Sequence, residues 1–351
     1  MASAPSGSPS GELLTPAGLP PAVRPARGRA LRVGGIPGFI LRRALLGVLV
    51  LVLVSIVVFV STQALGDPAR AILGRQATPD SLRALQDQLN LNEPLLSQYW
   101  SWVTGLLQGD AGMSFAAQQP VSDLINDRIV NSAFLVFCAG IISIPLAIAI
   151  GAYAALRRDR RFDSVSSLVT LLFAAMPEFV IGLWLVVIFA TTVFSGFLPS
   201  ITLIQPGAHP WDDFEGLVLP TATLVLAVTP YVARIVRASM IEVLESDYVE
   251  MARLKGLSEG TVLMRHALPN ALGPTFQVIA INLAYLAGGV IVVEYIFNYA
   301  GIGGALRDAV TNHDIPVVQA LAMLIAAVYV VLNLLADIAT IIVTPRLRTR
   351  L

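Results

Sequence analysis

Cysteine, histidine, lysine and charge are all scarce in this chain of 351 residues. A single cysteine, Cys138, excludes a disulfide within the chain and leaves the redox compartment undecided. His209, His266 and His313 lie far apart, with no cysteine or paired carboxylates beside them, so a metal site has little support. The one lysine, Lys255, precedes a glycine rather than following one, and no Gly-x4-Gly-Lys-Ser/Thr run occurs. The chain therefore carries no phosphate loop of its own. Charged residues make up only 13% of the chain, which excludes an ordinary soluble domain. Basic and acidic residues balance at 23 each, so bulk charge implies no nucleic acid or other polyanion.

What the chain has instead is apolar length. Apolar residues make up 56% of it and gather into six blocks: 39–63, 132–156, 166–195, 217–239, 272–297 and 316–343. Each is close to the roughly 20 residues that cross a bilayer as a helix. Pro220 and Pro230 bracket the fourth block, but neighbouring helices re-satisfy backbone groups freed by proline. The expected fold is an all-α polytopic membrane protein with six transmembrane helices. Basic residues test the layout independently. With both termini cytoplasmic, eighteen of the 23 fall inside and five outside, namely Arg70, Arg75, Arg83, Arg128 and Arg307. That is the positive-inside bias.

The same layout divides the chain. Residues 1–38 are rich in Pro, Gly, Ser and Ala and read as a disordered cytoplasmic tail. The first apolar run, 39–63, follows too long a lead and lacks a small-residue cleavage site, so it reads as a retained span rather than a signal peptide. Residues 64–131 form a long extracytoplasmic loop, and such length points to function. Thr78 as cap, Pro79 at the first position and Leu82, Leu85 and Leu89 on one stripe predict a helix over 78–91. A second, over 93–107, carries Trp100 and Trp102, which suit a membrane interface. The core spans 132–343, with a cytoplasmic loop at 240–271, and 344–351 is a cytoplasmic tail. Outside loops carry twelve acidic residues, Asp212, Asp213 and Glu215 among them; ordinary solvation or a cationic ligand both fit.

One stretch of the inner side stands apart: EMARLKGLSEGTVLMRHALPNAL, residues 250–272. Asp247 to Lys255 suits a short helix that Gly256 ends in the left-handed conformation. Ser258 caps a second helix running to about Ala267, and Pro269 and Pro274 mark the turn into the fifth span. Spacing alone fits an amphipathic loop as well as a handle held by another protein.

The residues at this point resemble the loop shared by ABC importer permeases: Glu-Ala-Ala, three residues, Gly, nine residues, then Ile-x-Leu-Pro. Here Glu250, Met251 and Ala252 precede Gly256, and His266, Ala267, Leu268 and Pro269 follow in register. The run 66–114 resembles the first periplasmic loop of the oligopeptide/dipeptide branch, in the longer-looped of its two permease types. EYIFNYAGIGGALRDAVTNHDIPVVQ, 294–319, is similar to the connection between that branch's fifth and sixth spans. Two local departures stand out: Thr344-Pro345-Arg346 replaces Asp-Pro-Arg, and Tyr299-Ala300-Gly301 replaces Trp-Pro-Gly.

The resemblance implies a type I ABC importer permease in a bacterial plasma (inner) membrane, with no catalysis of its own. Its implied partners are a second, homologous permease, two cytoplasmic ATPase subunits that bind ATP and Mg, and an extracytoplasmic substrate-binding protein. The chain itself would hold no cofactor, and ATP-driven closure would switch the path by alternating access. Coupling falls on Glu250, Ala252, Gly256, Leu257, His266, Leu268 and Pro269. The branch's Ser-x-Pro-x-Phe pattern stands here as Ala175-Met176-Pro177-Glu178-Phe179 and places Glu178 at its variable slot. Glu178 therefore reads either as a path carboxylate for a peptide amino group or as the partner of a neighbouring permease helix. Pro177, Phe179, Glu294 and Asn282 join it as translocation-path candidates, although Glu294, like Asp337, fits better as a residue that holds helices together or lines a gate. Asp337 and Asn333 read as packing or gate residues, and Asn282 and Asn333 as interhelical hydrogen-bond formers.

The solute stays open at this stage: dipeptides or oligopeptides, or haem, glutathione, a nickel chelate or an oligosaccharide. A different class, an ion-coupled secondary transporter, predicts inverted repeats, and the halves show no convincing repeat. A scaffold that uses the loop only for docking is a third reading.

Overall fold

The computed structural model describes residues 35–64, 66–73, 77–89, 91–191, 196–204 and 208–343. The tails expected at 1–34 and 344–351 lie outside them, and 35–38 already belong to the first helix. Every regular element among the described residues is a helix. In chain order these are α1 (Gly35–Gln63), α2 (Pro68–Leu73), α3 (Pro79–Gln88), α4 (Leu95–Leu107), α5 (Val121–Leu156), α6 (Arg161–Ala175), α7 (Glu178–Leu185), α8 (Phe214–Leu244), α9 (Asp247–Leu254), α10 (Glu259–Thr261), α11 (Leu268–Ile296), α12 (Ile302–Thr311) and α13 (Ile315–Val343). Wider π turns follow α7 at Val186–Ala190 and α10 at Val262–Ala267.

Four helices are long and apolar enough to cross a membrane alone, and two bent pairs make six if each pair is one span. The centre is α8. It is the least apolar of the four single helices yet the most enclosed, because α5, α6, α7 and α11 pack around it. Gly151 brings α5 and α8 together: a Cβ there would stand 2.5 Å from the Ala233 carbonyl oxygen and 2.7 Å from Val236 Cβ. By contrast α1 is apolar all round and leans mainly on α13, which leaves most of its face outward, as a lipid-facing helix requires.

Three sequence expectations change. The block 166–195 is not one continuous helix: the chain turns by 106° between Arg161–Ala175 and Glu178–Ala190. Pro177 is the cause, since proline pushes the preceding residue out of the helical region, and Met176 sits at φ −93°, ψ 130°. Next, α5 starts at Val121 rather than 132, because Val121 and Ile125 bury against Ile302, Ala305, Ala309 and Leu321. Finally, no turn occurs at Pro269 or Pro274. Helical backbone runs on from 259 to 296, and Pro269 comes directly after the π turn Val262–Ala267, the kind of local widening that accommodates proline inside a helix. The bend in α11 comes later, 50° between Thr275–Leu283 and Gly288–Ile296.

In the 64–120 region, Thr78 and Ser81 form a reciprocal cap on α3, with Pro79 at its first position. Tyr99 and Trp102 of α4 pack on Phe59, and Tyr99 shares a 2.8 Å hydrogen bond with Ser55. Local capping starts α3, and aromatic contacts seat α4 on the end of α1.

Candidate functional site

At the end of α8 the chain makes a small knob. Val249, Ala252 and Val262 form its three-residue core, backed by Val243 and Leu244. Ala252 thus serves the close approach of the two short segments to one another. After α9 the N–H of Gly256 donates to the Arg253 carbonyl at 2.9 Å and that of Leu257 to the Ala252 carbonyl at 3.4 Å. With Gly256 at φ +76°, this is the left-handed helix stop that glycine favours. Ser258 then accepts from the Thr261 N–H, and Arg253 meets Glu259 at 3.0 Å across the turn.

The knob buries little and presents much. Tyr248, Met251, Leu254, Leu257 and Met264 are exposed, Leu254 at 75%. Glu250 and Pro269 are exposed too, whereas His266 and Leu268 are half-buried. The Glu250 carboxylate has no hydrogen bond or ion pair among the described residues. Exposed apolar groups beside an unpaired carboxylate suit a protein partner.

The path candidates separate. Glu178 is the first residue of α7, with Pro177 as its cap, and Phe179 beside it is exposed. The Tyr285 hydroxyl donates to Glu178 Oε2 at 3.1 Å. Glu294 does not line a path. It is fully buried, and its carboxylate accepts from the Ser132 hydroxyl and, at 2.7 Å, from the Gly303 N–H. No room for another side chain exists there: a Cβ on Gly301 would fall 2.1 Å from Glu294 Oε1. Asn282 and Asn333 do not join helices either. Each donates at 2.8 Å to the carbonyl four residues back in its own helix, Val278 and Tyr329 respectively, a local bond that competes with one across helices. Asp337 meets Arg43 at 3.1 Å and ties α13 to α1.

The sequence matches the binding-protein-dependent transport system inner membrane component over residues 147–349, and the N-terminal region of that component over 37–136. The chain belongs to this family. Among bacterial relatives, a probable peptide ABC transporter permease of Sinorhizobium fredii is 37% identical over 313 residues, covering 88% of this chain and 99% of that protein. A glutathione transport system permease protein of Shigella flexneri is 34% identical over 311 residues, covering 88% and 98%. A solved amino acid ABC transporter chain covers 65% of this chain and 94% of its own at 17% identity, with a TM-score of 0.45. The protein is thus a multi-pass permease subunit of an ABC transporter, a non-catalytic inner-membrane component.

Two anchors in this permease escaped the sequence reading. Arg237 of α8 grips the buried Asp163 of α6, its Nη2 at 2.7 Å from Oδ2. At the opposite end the buried Asp314 accepts from the Ser114 hydroxyl and, at 2.9 Å, from the Phe115 N–H. These partners lie 74 and about 200 residues apart, so no local pattern pairs them.

Proposed function

We propose that this chain is the permease subunit of an ATP-driven importer of peptides, a class that includes the tripeptide glutathione. The knob at 247–267 is the observation that carries the reading. It holds together through local backbone bonds, has almost no core of its own, and offers five exposed apolar side chains beside Glu250. Such a surface fits a groove on an ATPase subunit, where Leu254, Leu257 and Met264 would lose their water and Glu250 would meet a basic or N–H donor. The preserved register from Glu250 to Pro269 supports the same assignment for Gly256, His266 and Leu268.

In this reading six spans cross the membrane with both termini cytoplasmic, counting each bent pair as one span. ATP and Mg sit on two partner ATPases. A second permease completes the path, and an extracytoplasmic binding protein delivers the solute onto the 64–120 side. Closure of the ATPases would push the knob, and the helical continuity from 259 to 296 would carry that motion directly into α11. The names of the relatives favour peptides over haem, metal chelates or sugars.

The test is reconstitution of the full complex in vesicles. ATP-dependent accumulation of peptide, together with co-purification of two ATPase subunits, is expected. Uptake driven by an ion gradient without ATP would replace this reading with a secondary carrier.

A further inference from the structure

Among the carboxylates set between the long apolar helices, Glu178 differs from the rest. Asp163 is held by Arg237, Asp337 by Arg43, and Glu294 is enclosed by Ser132 and Gly303. Glu178 is only half-buried, and no arginine, lysine or histidine among the described residues pairs with it. Its place in the first turn of α7 favours a negative charge, but a helix terminus supplies only part of what a counter-ion would. Ionisable groups left at membrane depth mark pathways.

Depth follows from its neighbours. Tyr285 lies near the middle of α11 and donates to Glu178 Oε2. Tyr231 lies near the middle of α8 and donates at 2.9 Å to the Ala174 carbonyl, just before the Pro177 break. Backbone irregularities gather at this level: the 106° turn before Glu178, the 50° bend beside Tyr285, and Pro230 within α8. Interrupted helices meeting at mid-membrane are where carriers build solute sites. Gly289 lines the same place, since a Cβ there would make ordinary contact, at 3.6 Å, with both Glu178 Oε1 and the Tyr285 ring. Both tyrosines are about half exposed, Tyr231 at 46% and Tyr285 at 50%.

We infer that Glu178, Tyr285 and Tyr231 form a subsite for the primary ammonium group of a peptide solute, an inference that rests on the peptide-importer reading. Tyr285 occupies Oε2 and leaves Oε1, the oxygen on the Gly289 side, to accept an incoming N–H. The two phenol rings supply further attraction for a cation. This chemistry selects solutes with a free amino group, which peptides and glutathione carry and haem or neutral sugars lack.

The test compares wild type with Glu178→Gln in the complete reconstituted complex, using trialanine and glutathione, each with its N-acetyl counterpart. The binding protein is the same for both permeases, so its own preference cancels when the free-to-acetylated uptake ratio is compared between them. Loss of a charge-assisted contact predicts about a tenfold fall in uptake of the free peptide. Acetylated uptake should change little, and Tyr285→Phe should show the same selectivity with a smaller fall. The variant should co-purify with the second permease at wild-type stoichiometry. Equal losses for free and acetylated solutes, no loss for either, or a failure to assemble would overturn the inference, the last in favour of a cation on the second permease. If wild type accumulates none of the four solutes, the peptide reading itself falls, and the ammonium site with it.

Discussion

The two ends of this permease are held together by different means. The 247–267 knob depends on contacts within a few residues of one another: a helix stop at Gly256, a cap at Ser258, an exposed pair from Arg253 to Glu259 and three buried side chains. The opposite end depends on contacts across 160 residues and more. Ser132 of α5 donates to Glu294 and accepts from the Ile302 N–H at 2.9 Å, while the Tyr299 hydroxyl donates to the Asn131 carbonyl at 2.7 Å. Asn131 in turn donates to the Ala300 carbonyl at 2.8 Å. The first end leaves most of its surface exposed, whereas the second is a closed polar network that fixes where α5, α11 and α12 meet.

That difference orders the consequences of mutation. Glu294→Ala should do the most damage to stability, because it leaves the buried Ser132 hydroxyl and Gly303 N–H without their acceptor. Each orphaned group costs about 1–3 kcal/mol, so a marked drop in the thermal midpoint of the purified permease is expected. A midpoint equal to wild type would mean that the network does not hold this end. Asp314→Ala should follow, with a loss of about 1–3 kcal/mol and faster proteolysis in the 112–120 loop that Ser114 and Phe115 pin to it.

Gly256→Val belongs to the other end and should behave differently. A β-branched residue at φ +76° carries strain of about 1–3 kcal/mol, but nothing stands within 4 Å of an added Cβ. Membrane insertion should therefore stay intact, with the strain confined to the turn, while ATP-driven uptake is lost. Gly256→Asn, which tolerates the left-handed region, should retain more uptake. Normal transport by the valine variant would remove the knob from the coupling role. The smallest effect belongs to Arg253→Ala, since an exposed ion pair contributes about 0–1 kcal/mol; uptake and midpoint should both stay near wild type.

Legibility in the sequence follows the same divide. Thr78 with Pro79, the glycine stop at 256 and the Ser258 cap could be read because each is written within a few residues and acts on its own backbone. The long apolar helices could be read because no other element satisfies backbone groups in lipid so simply. Glu294 could be read as a residue that holds helices together, but its partners Ser132 and Gly303 could not, since they come from other helices. Asn282 and Asn333 resisted, because whether an asparagine bonds its own turn or a neighbour depends on which acceptor lies closer.

By itself the sequence determined that this chain is an apolar helical membrane protein with a polar knob in a set register, because length, period and capping are local properties. The tertiary structure alone decided how far the third apolar block turns at Pro177, by 106°, which partners hold Asp163, Glu294 and Asp314, and that Glu178 is half-buried beside Tyr285. A carboxylate's role depends on which donors the fold brings within about 3 Å, and that distance is set by packing between segments far apart in the chain.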